Sequence, residues 1–194
     1  MNDRFRSLLA LLTVAAFAQG CNVAPHNIRL EPSVQVHPSE LGQGKVVGLE
    51  VVDSRADKKL GMVGDPQGKF IYLSLANESP EVIYKQIAQN LEKLGFSVQP
   101  LTESAERSLK VDVSDLTYES IKKPVTFDTL AKVSLEATAR NGGDTYERAY
   151  NVKQEKSAGS PPSKSDESSA VNGLVSMALD DMLTDKHLLA ILAK

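Results

Sequence analysis

The chain of 194 residues contains one cysteine, no tryptophan, five tyrosines and five phenylalanines. A single cysteine excludes an intramolecular disulfide, and so few aromatic rings argue against a carbohydrate platform or a base-stacking surface. The formal charge of −3 and the pI near 5.7 lack the basic excess that is typical of nucleic-acid binding. No apolar run reaches about 18 residues, so we expect no membrane-spanning helix in the mature protein. We therefore expect no nucleic-acid partner.

The first twenty residues are typical of a secretory signal peptide. Arg4 and Arg6 precede an almost wholly apolar stretch at 7–18, and small residues lead to Cys21. The sequence Ala-Gln-Gly-Cys at 18–21 resembles the lipobox of bacterial lipoproteins, whose cysteine carries lipid. A lone exported thiol would otherwise be a liability in an oxidising compartment. We therefore predict a signal peptide over 1–20 and a lipid anchor on Cys21, through which the protein meets its membrane.

The residues after Cys21 indicate where the protein is sorted and how it is arranged. In enteric-type bacteria, Asp after the lipidated cysteine resembles an inner-membrane retention signal, so Asn22 predicts the outer membrane, periplasmic face. Residues 21–44 contain three prolines and show little periodicity, which predicts an extended tether. Residues 45–194 then form a single periplasmic domain, in keeping with the length of the chain.

The domain contains clear strand and turn signals. The valine-rich residues 46–52 have the apolar character of a central strand, and 70–75 form a second short strand. Alternating apolar residues over 129–140, followed by Asn-Gly-Gly-Asp at 141–144, predict a long antiparallel hairpin. In the strand before it, the alternation changes phase near Ser114, which predicts a β-bulge.

Two amphipathic helices are expected to cover this sheet. Ser79 as N-cap, Pro80 and apolar residues at helical spacing predict a helix that ends at Gly95. The apolar face of a second helix begins at Val171, and Asp185 stands where it would cap a last short helix. We therefore expect an α+β domain: a two-layer sandwich of a mostly antiparallel sheet with two amphipathic helices packed on one face.

The sequence contains no recognisable catalytic or metal-binding motif. Its three histidines lack ligand spacing, and no nucleophile elbow or phosphate-binding loop is present. The acidic residues Asp112 and Asp115 on a strand, and Asp180 and Asp181 on a helix, are not expected to converge. They are better explained as solvated faces than as glycosidase carboxylates. We predict no catalytic residue, metal or cofactor, and no enzymatic activity.

The loop that follows the first strand is a possible interaction site. Asp53 and Arg55 place opposite charges close together at the end of a buried strand. One interpretation is that they bind a partner; the other is that they order the loop by hydrogen bonds to each other and to the backbone. The sequence favours the second interpretation and leaves the first open.

Several short motifs follow one another along almost the whole chain. They are the lipobox, a proline-containing segment, a valine-rich strand ending in Asp53-x-Arg55, a helix closing on Gly95-Phe96-x-Val98, and an Asn141-Gly142 hairpin with Tyr150-Asn151-Val152 beyond it. In this order they resemble the YajG-type lipoproteins of Gram-negative bacteria. The resemblance implies an outer-membrane-type lipoprotein and carries over no catalytic residue.

These observations together predict a non-enzymatic protein-interaction module of the cell envelope, anchored by lipid on Cys21 and bound to another envelope protein. Two alternatives stay open. An enzyme that acts on envelope glycans would need a deep pocket with two or more carboxylates. A carrier of a small apolar ligand would need a sizeable apolar cavity between helices and sheet.

Overall fold

The computed structural model describes residues 25–65 and 67–194 as an α+β fold with eight strands and three helices. The predicted signal peptide and Cys21 lie outside these residues. The elements in chain order are β1 (His26–Ile28), β2 (Val46–Asp53), β3 (Gly61–Gly64), β4 (Phe70–Leu75), α1 (Ser79–Lys93), β5 (Ser97–Pro100), β6 (Arg107–Lys122), β7 (Phe127–Asn141), β8 (Asp144–Ala158), α2 (Lys164–Leu183) and α3 (Lys186–Ala193). The α+β class is as predicted.

Strand β6 is the centre of the sheet. It pairs antiparallel with β7 along its whole length, and β7 pairs in the same way with β8. On its other side, the first half of β6 pairs parallel with β2, which continues to β5. The second half pairs parallel with β3, which continues through β4 to β1. A bulge between Val113 and Asp115, close to its predicted position, separates the two halves.

The sheet is therefore mixed, and the prediction of a mostly antiparallel two-layer sandwich is corrected. Four of its pairings are parallel: β1 with β4, β2 with β5, β2 with β6, and β3 with β6. The hairpin of β7 and β8 was visible in the sequence because a tight turn joins its strands. Parallel partners are separated by other elements, so no local signal marks their pairing.

The helices cover the apolar face of this sheet. Helix α1 packs on β2 and β5, whereas α2 and α3 pack on β7 and β8. Leu109, Val111 and Val113 of β6 are fully buried before the bulge; after it, the buried positions shift to Leu116 and Tyr118. Since one extra residue reverses the side-chain alternation, the bulge keeps both halves of β6 facing the same core.

Residues 28–36, here called the strap, are extended as predicted but do not form a free tether. Every second residue of the strap is buried: Ile28, Leu30, Pro32, Val34 and Val36. Burial of each large apolar side chain contributes roughly 1.5–3 kcal/mol. The prediction of a tether is thus corrected for residues 28–36, where the alternation of buried side chains packs the chain into the domain despite Pro32.

Side chains of the β4–α1 loop and of α2 take up backbone hydrogen bonds of the strap. Asn77 accepts from the Leu30 N–H at 2.8 Å and donates to the Leu30 carbonyl at 3.0 Å. The N–H of Ser33 donates to Ser176 of α2 at 2.9 Å. A buried strand-like segment without sheet partners needs such acceptors, since unpaired backbone groups are costly to bury. The strap is therefore an integral part of the domain.

Candidate functional site

Asp53 and Arg55 form a closed ion pair at the end of β2. Arg55 donates Nε to Oδ1 at 3.0 Å and Nη2 to Oδ2 at 2.8 Å, a bidentate arrangement. Its backbone N–H also donates to Oδ1, at 3.1 Å. The side chains of Asp53 and Arg55 are only 10% and 5% exposed. Most of the hydrogen-bonding capacity of both groups is thus used internally.

Three further residues join this pair to the rest of the fold. Ser79 Oγ donates to Asp53 Oδ2 at 2.7 Å, and Arg55 Nη1 donates to the Leu116 carbonyl at 3.1 Å. Lys58 Nζ donates to Asp53 Oδ1 at 3.0 Å. The pair therefore fastens the end of β2 to the start of α1 and to β6 beyond its bulge.

This arrangement corrects the predicted start of α1. Ser79 is the first helical residue, and its hydroxyl is used by Asp53 instead of capping its own helix. Glu78 stands at the N-cap position without a side-chain cap bond. The hydroxyl that the sequence assigned to capping α1 donates instead to a carboxylate from β2, a contact that local sequence signals do not report.

The charge on Asp53 is stabilised strongly. Burial alone would raise its pKa, but hydrogen bonds from Arg55, Ser79 and Lys58 hold the pKa well below its ordinary value. Such a carboxylate is a poor proton acceptor at neutral pH. The geometry favours the interpretation that Asp53 and Arg55 order the loop.

A second buried network centres on Asp185, which sequence reasoning identified only as a helix cap. Its Oδ1 accepts from the His187 N–H at 2.8 Å, as a cap should. Its Oδ2 accepts from Tyr146 at 3.0 Å and from Arg148 and Tyr150 at 2.8 Å each. Burial opposes ionisation, yet these bonds lower the pKa of Asp185 to about 2. In the sequence, Tyr146, Arg148 and Tyr150 occupy every second position and so share one face of β8, which is the signal that could have indicated this network.

A third buried polar contact joins β1 to α2. His26 Nδ1 lies 2.9 Å from Oε2 of Glu167, whose side chain is 1% exposed. Burial, and secondly the charge of Glu167, raise the pKa of the neighbouring Tyr118 to about 12. His26, which the sequence placed in the tether, is therefore a fixed contact of the folded domain.

The other residues considered from the sequence are not brought together. Asp112 and Asp115 lie on either side of the bulge, and Asp112 Oδ1 accepts from the Ser54 N–H at 3.1 Å. Asp180 and Asp181 are both exposed on α2. Over residues 25–65 and 67–194, no three His, Cys, Asp or Glu side chains are grouped so that they could hold a metal ion. No helix in this part of the chain is long and apolar enough to cross a membrane.

An apolar groove lies between α2 and the inner faces of β7 and β8; we call it the α2–β8 groove. Its volume is about 480 Å³. Gly173 leaves it open, because a Cβ at this position would meet no atom within 4 Å. Its lining combines apolar side chains (Tyr118, Ala131, Val152, Leu174 and the 58% exposed Met177) with the charged residues Lys153, Lys156 and Asp166. The groove is the size of a ligand site for a small molecule or an apolar side-chain pair.

Strand β8 borders this groove as an edge strand. It pairs with β7 over 15 residues and, among the described strands, with no other. Its outer row of backbone N–H and C=O groups is thus a template for another strand. Lys153, Glu155 and Lys156 place alternating charges there, a usual protection of edges against unselective pairing.

Two shallower clefts contain more acidic side chains. One is lined by Glu119, Asp128 and Glu155 together with lysines, and the other lies beside the Asp53–Arg55 pair. Hydrogen bonds from Ser157 and Thr126 lower the pKa of Asp128, and that of Asp53 is lowered too. A glycosidase general acid needs the opposite shift. These carboxylates do not favour the glycan-enzyme alternative.

Comparison with known proteins identifies related sequences and folds. The sequence profile of the family Lipoprotein_16, described as "Uncharacterized lipoprotein", matches residues 32–193. No curated protein matches with significance. An uncharacterized protein of known structure superposes with a TM-score of 0.50 at 11% identity, covering 81% of this chain and 97% of that one. Protein XCC0632 from Xanthomonas campestris, assigned to DUF330, gives 0.49 at 15% identity, with 85% and 95% covered. At these identities the likeness concerns the fold alone.

Proposed function

Because this chain belongs to the Lipoprotein_16 family of uncharacterized lipoproteins, we propose that it is a lipid-anchored envelope protein that binds a partner polypeptide without catalysing a reaction. The family membership confirms the resemblance to YajG-type lipoproteins. In this proposal the lipid on Cys21 holds the domain at the periplasmic face of the outer membrane, to which Asn22 directs it.

The α2–β8 groove is the observation that carries the proposal. A strand that pairs with the free edge of β8 forms main-chain hydrogen bonds along that edge. Because strand side chains alternate between faces, every second side chain of the incoming strand points towards α2 and enters the groove near Met177. The partner is therefore an extended segment of an envelope protein with apolar residues at alternate positions.

The buried charged groups support a binding role over catalysis. Asp53 and Asp185 each accept several hydrogen bonds and have lowered pKa values, so neither exchanges protons near neutral pH. At the groove itself, the carboxylate of Asp166 accepts from the Ser163 hydroxyl and backbone N–H in a capping box of α2. These groups stabilise the fold around the groove.

A carrier of a small apolar ligand is the second candidate. The volume of about 480 Å³ falls within the range of small-molecule sites, roughly 300–1,000 Å³. In that case the ligand would occupy the groove alone, and the edge of β8 would stay unpaired. The two candidates differ in what a probe at the groove mouth captures.

Site-specific photocrosslinking in cells tests the proposal. A photoreactive residue replaces Met177 at the groove mouth of the full-length protein; the control carries it at Val46, 44% exposed at the start of β2. We expect a discrete protein adduct from position 177 and none from position 46. The adduct should persist in Gly173→Ala and disappear in Gly173→Leu, whose side chain fills the groove.

Other outcomes would contradict this function. An adduct of lipid mass at position 177 would favour the carrier, and an adduct that persists in Gly173→Leu would place the partner elsewhere. Circular dichroism and the melting temperature of Gly173→Leu control for loss of the fold. Hydrolysis of purified envelope glycan that is lost in a single point variant would show that the protein is an enzyme.

A further inference from the structure

Exposed apolar side chains gather at the end of the sheet where β4 begins and β6 ends. Phe70 is 52% exposed, Tyr72 57%, Ile121 43% and Val125 83%. Met62 of β3 is opposite both Tyr72 on β4 and Glu119 on β6, so Tyr72 and Glu119 lie on the same face of the sheet. Phe70 and Ile121 are two residues from them and therefore lie on that face too. Val125 lies in the turn that follows β6. We call these four residues the β4–β6 rim.

Gly64 brings the two strands of the rim together. It pairs with Phe70, and a Cβ on Gly64 would lie 3.8 Å from the Phe70 ring. The same point lies 3.5 Å from backbone atoms of Ser120 and Lys122, on either side of Ile121. Because Gly64 has no side chain, no other side chain stands between Phe70 and Ile121 in this row across the three strands. An exposed group of apolar side chains marks a contact with a partner or a membrane.

The chain enters the fold at this same end. Strand β1 runs parallel to β4 with His26 opposite Leu73, so its N-terminus faces the end at which β4 begins with Phe70. Cys21 precedes His26 by five residues, which span at most about 18 Å when fully extended. His26 is held by Glu167, and the strap beyond it is hydrogen-bonded to side chains of α2 and α1. His26 therefore cannot lie further than about 18 Å from a lipidated Cys21.

We propose that the β4–β6 rim docks on the surface of the bilayer that holds the lipid of Cys21. The proposal rests on the lipid anchor of the proposed function and adds the orientation of the domain. With a lipid attached within about 18 Å of His26, this end of the sheet is confined to the membrane interface. Aromatic side chains are enriched at that depth, because their rings suit the boundary between headgroups and acyl chains.

Apolar contact, and not net charge, drives this docking. Lys59 lies over the Tyr72 ring with Nζ 5.4 Å from its centroid, which suits a long side chain whose charge stays near headgroups. Other charged residues of both signs are close to the rim residues in the chain: Lys69, Lys122, Lys123, Asp65, Glu119 and Asp128. Because these charges nearly cancel, salt should release the rim only weakly, unlike a polybasic patch.

Tryptophan fluorescence tests the orientation directly, since the chain contains no tryptophan. The lipidated protein carrying Phe70→Trp or Val125→Trp is reconstituted into vesicles of phosphatidylethanolamine and phosphatidylglycerol, with and without brominated acyl chains. We expect a blue shift of the emission and loss of intensity with brominated lipid. Val46→Trp, at the opposite end of the sheet, should show neither change.

Flotation of the same vesicles reports the anchor separately. Protein that floats, with quenching at positions 70 and 125 but not at 46, supports the rim. Protein that floats without quenching at 70 and 125 overturns the rim and leaves the anchor intact. A blue shift without quenching, dependent on protein density, would mean that a second copy covers the rim and would also overturn it. Protein that does not float overturns both the anchor and the rim.

Discussion

The Tyr150 hydroxyl donates a buried hydrogen bond of 2.8 Å to Oδ2 of Asp185. Tyr150 belongs to the edge strand β8, and Asp185 links α2 to α3. The same oxygen accepts from Tyr146 and Arg148, so one carboxylate fastens three positions of β8 to the helical layer. This connection fixes the strand that borders the α2–β8 groove.

Acid should destabilise the protein partly through Asp185. Its pKa falls from 3.8 to about 2 on folding, so the native state binds this proton less tightly than the unfolded state. The stabilisation, about 2 kcal/mol, is complete above pH 3.8 and is lost as the pH falls through about 2. Urea unfolding of the wild type and Asp185→Asn at several pH values measures it.

The variant must be compared with the wild type because Asp53 also has a lowered pKa, so its protonation also reduces stability in acid. The Asp185→Asn variant should be less stable at neutral pH and show a shallower loss of stability in acid. Asp144→Asn, at an exposed carboxylate, serves as the matched control and should retain the wild-type acid profile. An unchanged acid profile in Asp185→Asn would contradict the assignment.

Removal of Arg55 should cost much more stability than removal of Lys58, although both contact Asp53. Arg55→Ala leaves a buried carboxylate without its bidentate partner, and we expect a loss of about 3 kcal/mol in the free energy of unfolding. Lys58 is 60% exposed, so Lys58→Ala should change stability by less than about 0.5 kcal/mol. Chemical denaturation measures both values.

Arg55→Lys discriminates between charge and geometry at the same position. A lysine keeps the charge but lacks the fork that reaches both oxygens of Asp53 and the Leu116 carbonyl. It should therefore recover only a minor part of the lost stability. Full recovery with lysine would mean that charge alone holds the loop.

His26 and Glu167 should be energetically coupled. Each single variant, His26→Ala or Glu167→Ala, removes the contact between β1 and α2, whereas the double variant removes both partners together. A double-mutant cycle in the free energy of unfolding should give a coupling of about 1–3 kcal/mol, because Glu167 is buried. A coupling near zero would show that the two groups are stabilised independently.

The strap should loosen locally when its side-chain acceptors are removed. Asn172 accepts from the Glu31 N–H and donates to the Arg29 carbonyl at 3.0 Å. Asn172→Ala should speed amide exchange in the peptide that covers 28–36, while β7 and β8 keep their protection. Hydrogen exchange measured by mass spectrometry checks this. Asn151→Ala, at an exposed position of β8, should leave the strap unchanged.

Features with local causes were predictable from the sequence. Gly95 ends α1 with φ +86°, a conformation that glycine adopts without strain, and Asp185 caps α3. The turn of the β7–β8 hairpin has Gly142 at φ +56°. Each of these depends on residues that are neighbours in the chain, so the pattern and its structural result lie within a few positions of each other.

Features that depend on distant residues were missed. The cap of α1 was assigned to Ser79, but the Ser79 hydroxyl donates to Asp53, which lies 26 residues earlier in the chain. The strap was interpreted as a tether because the partners of its backbone, Asn77 and Asn172, lie 47 and 141 residues further along the chain. Neither partner has a spacing that would reveal the contact.

The sequence by itself determined the family resemblance, the α+β class, the position of the bulge, the hairpin and the caps that glycine and Asp185 provide, because local propensity and side-chain alternation cause them. The tertiary structure alone decided the parallel pairings around β6, the packing of the strap, the closed Asp53–Arg55 pair, the α2–β8 groove and the β4–β6 rim. Each of these joins segments far apart in the chain, where burial and hydrogen-bond satisfaction act between elements and leave no periodic mark in either one.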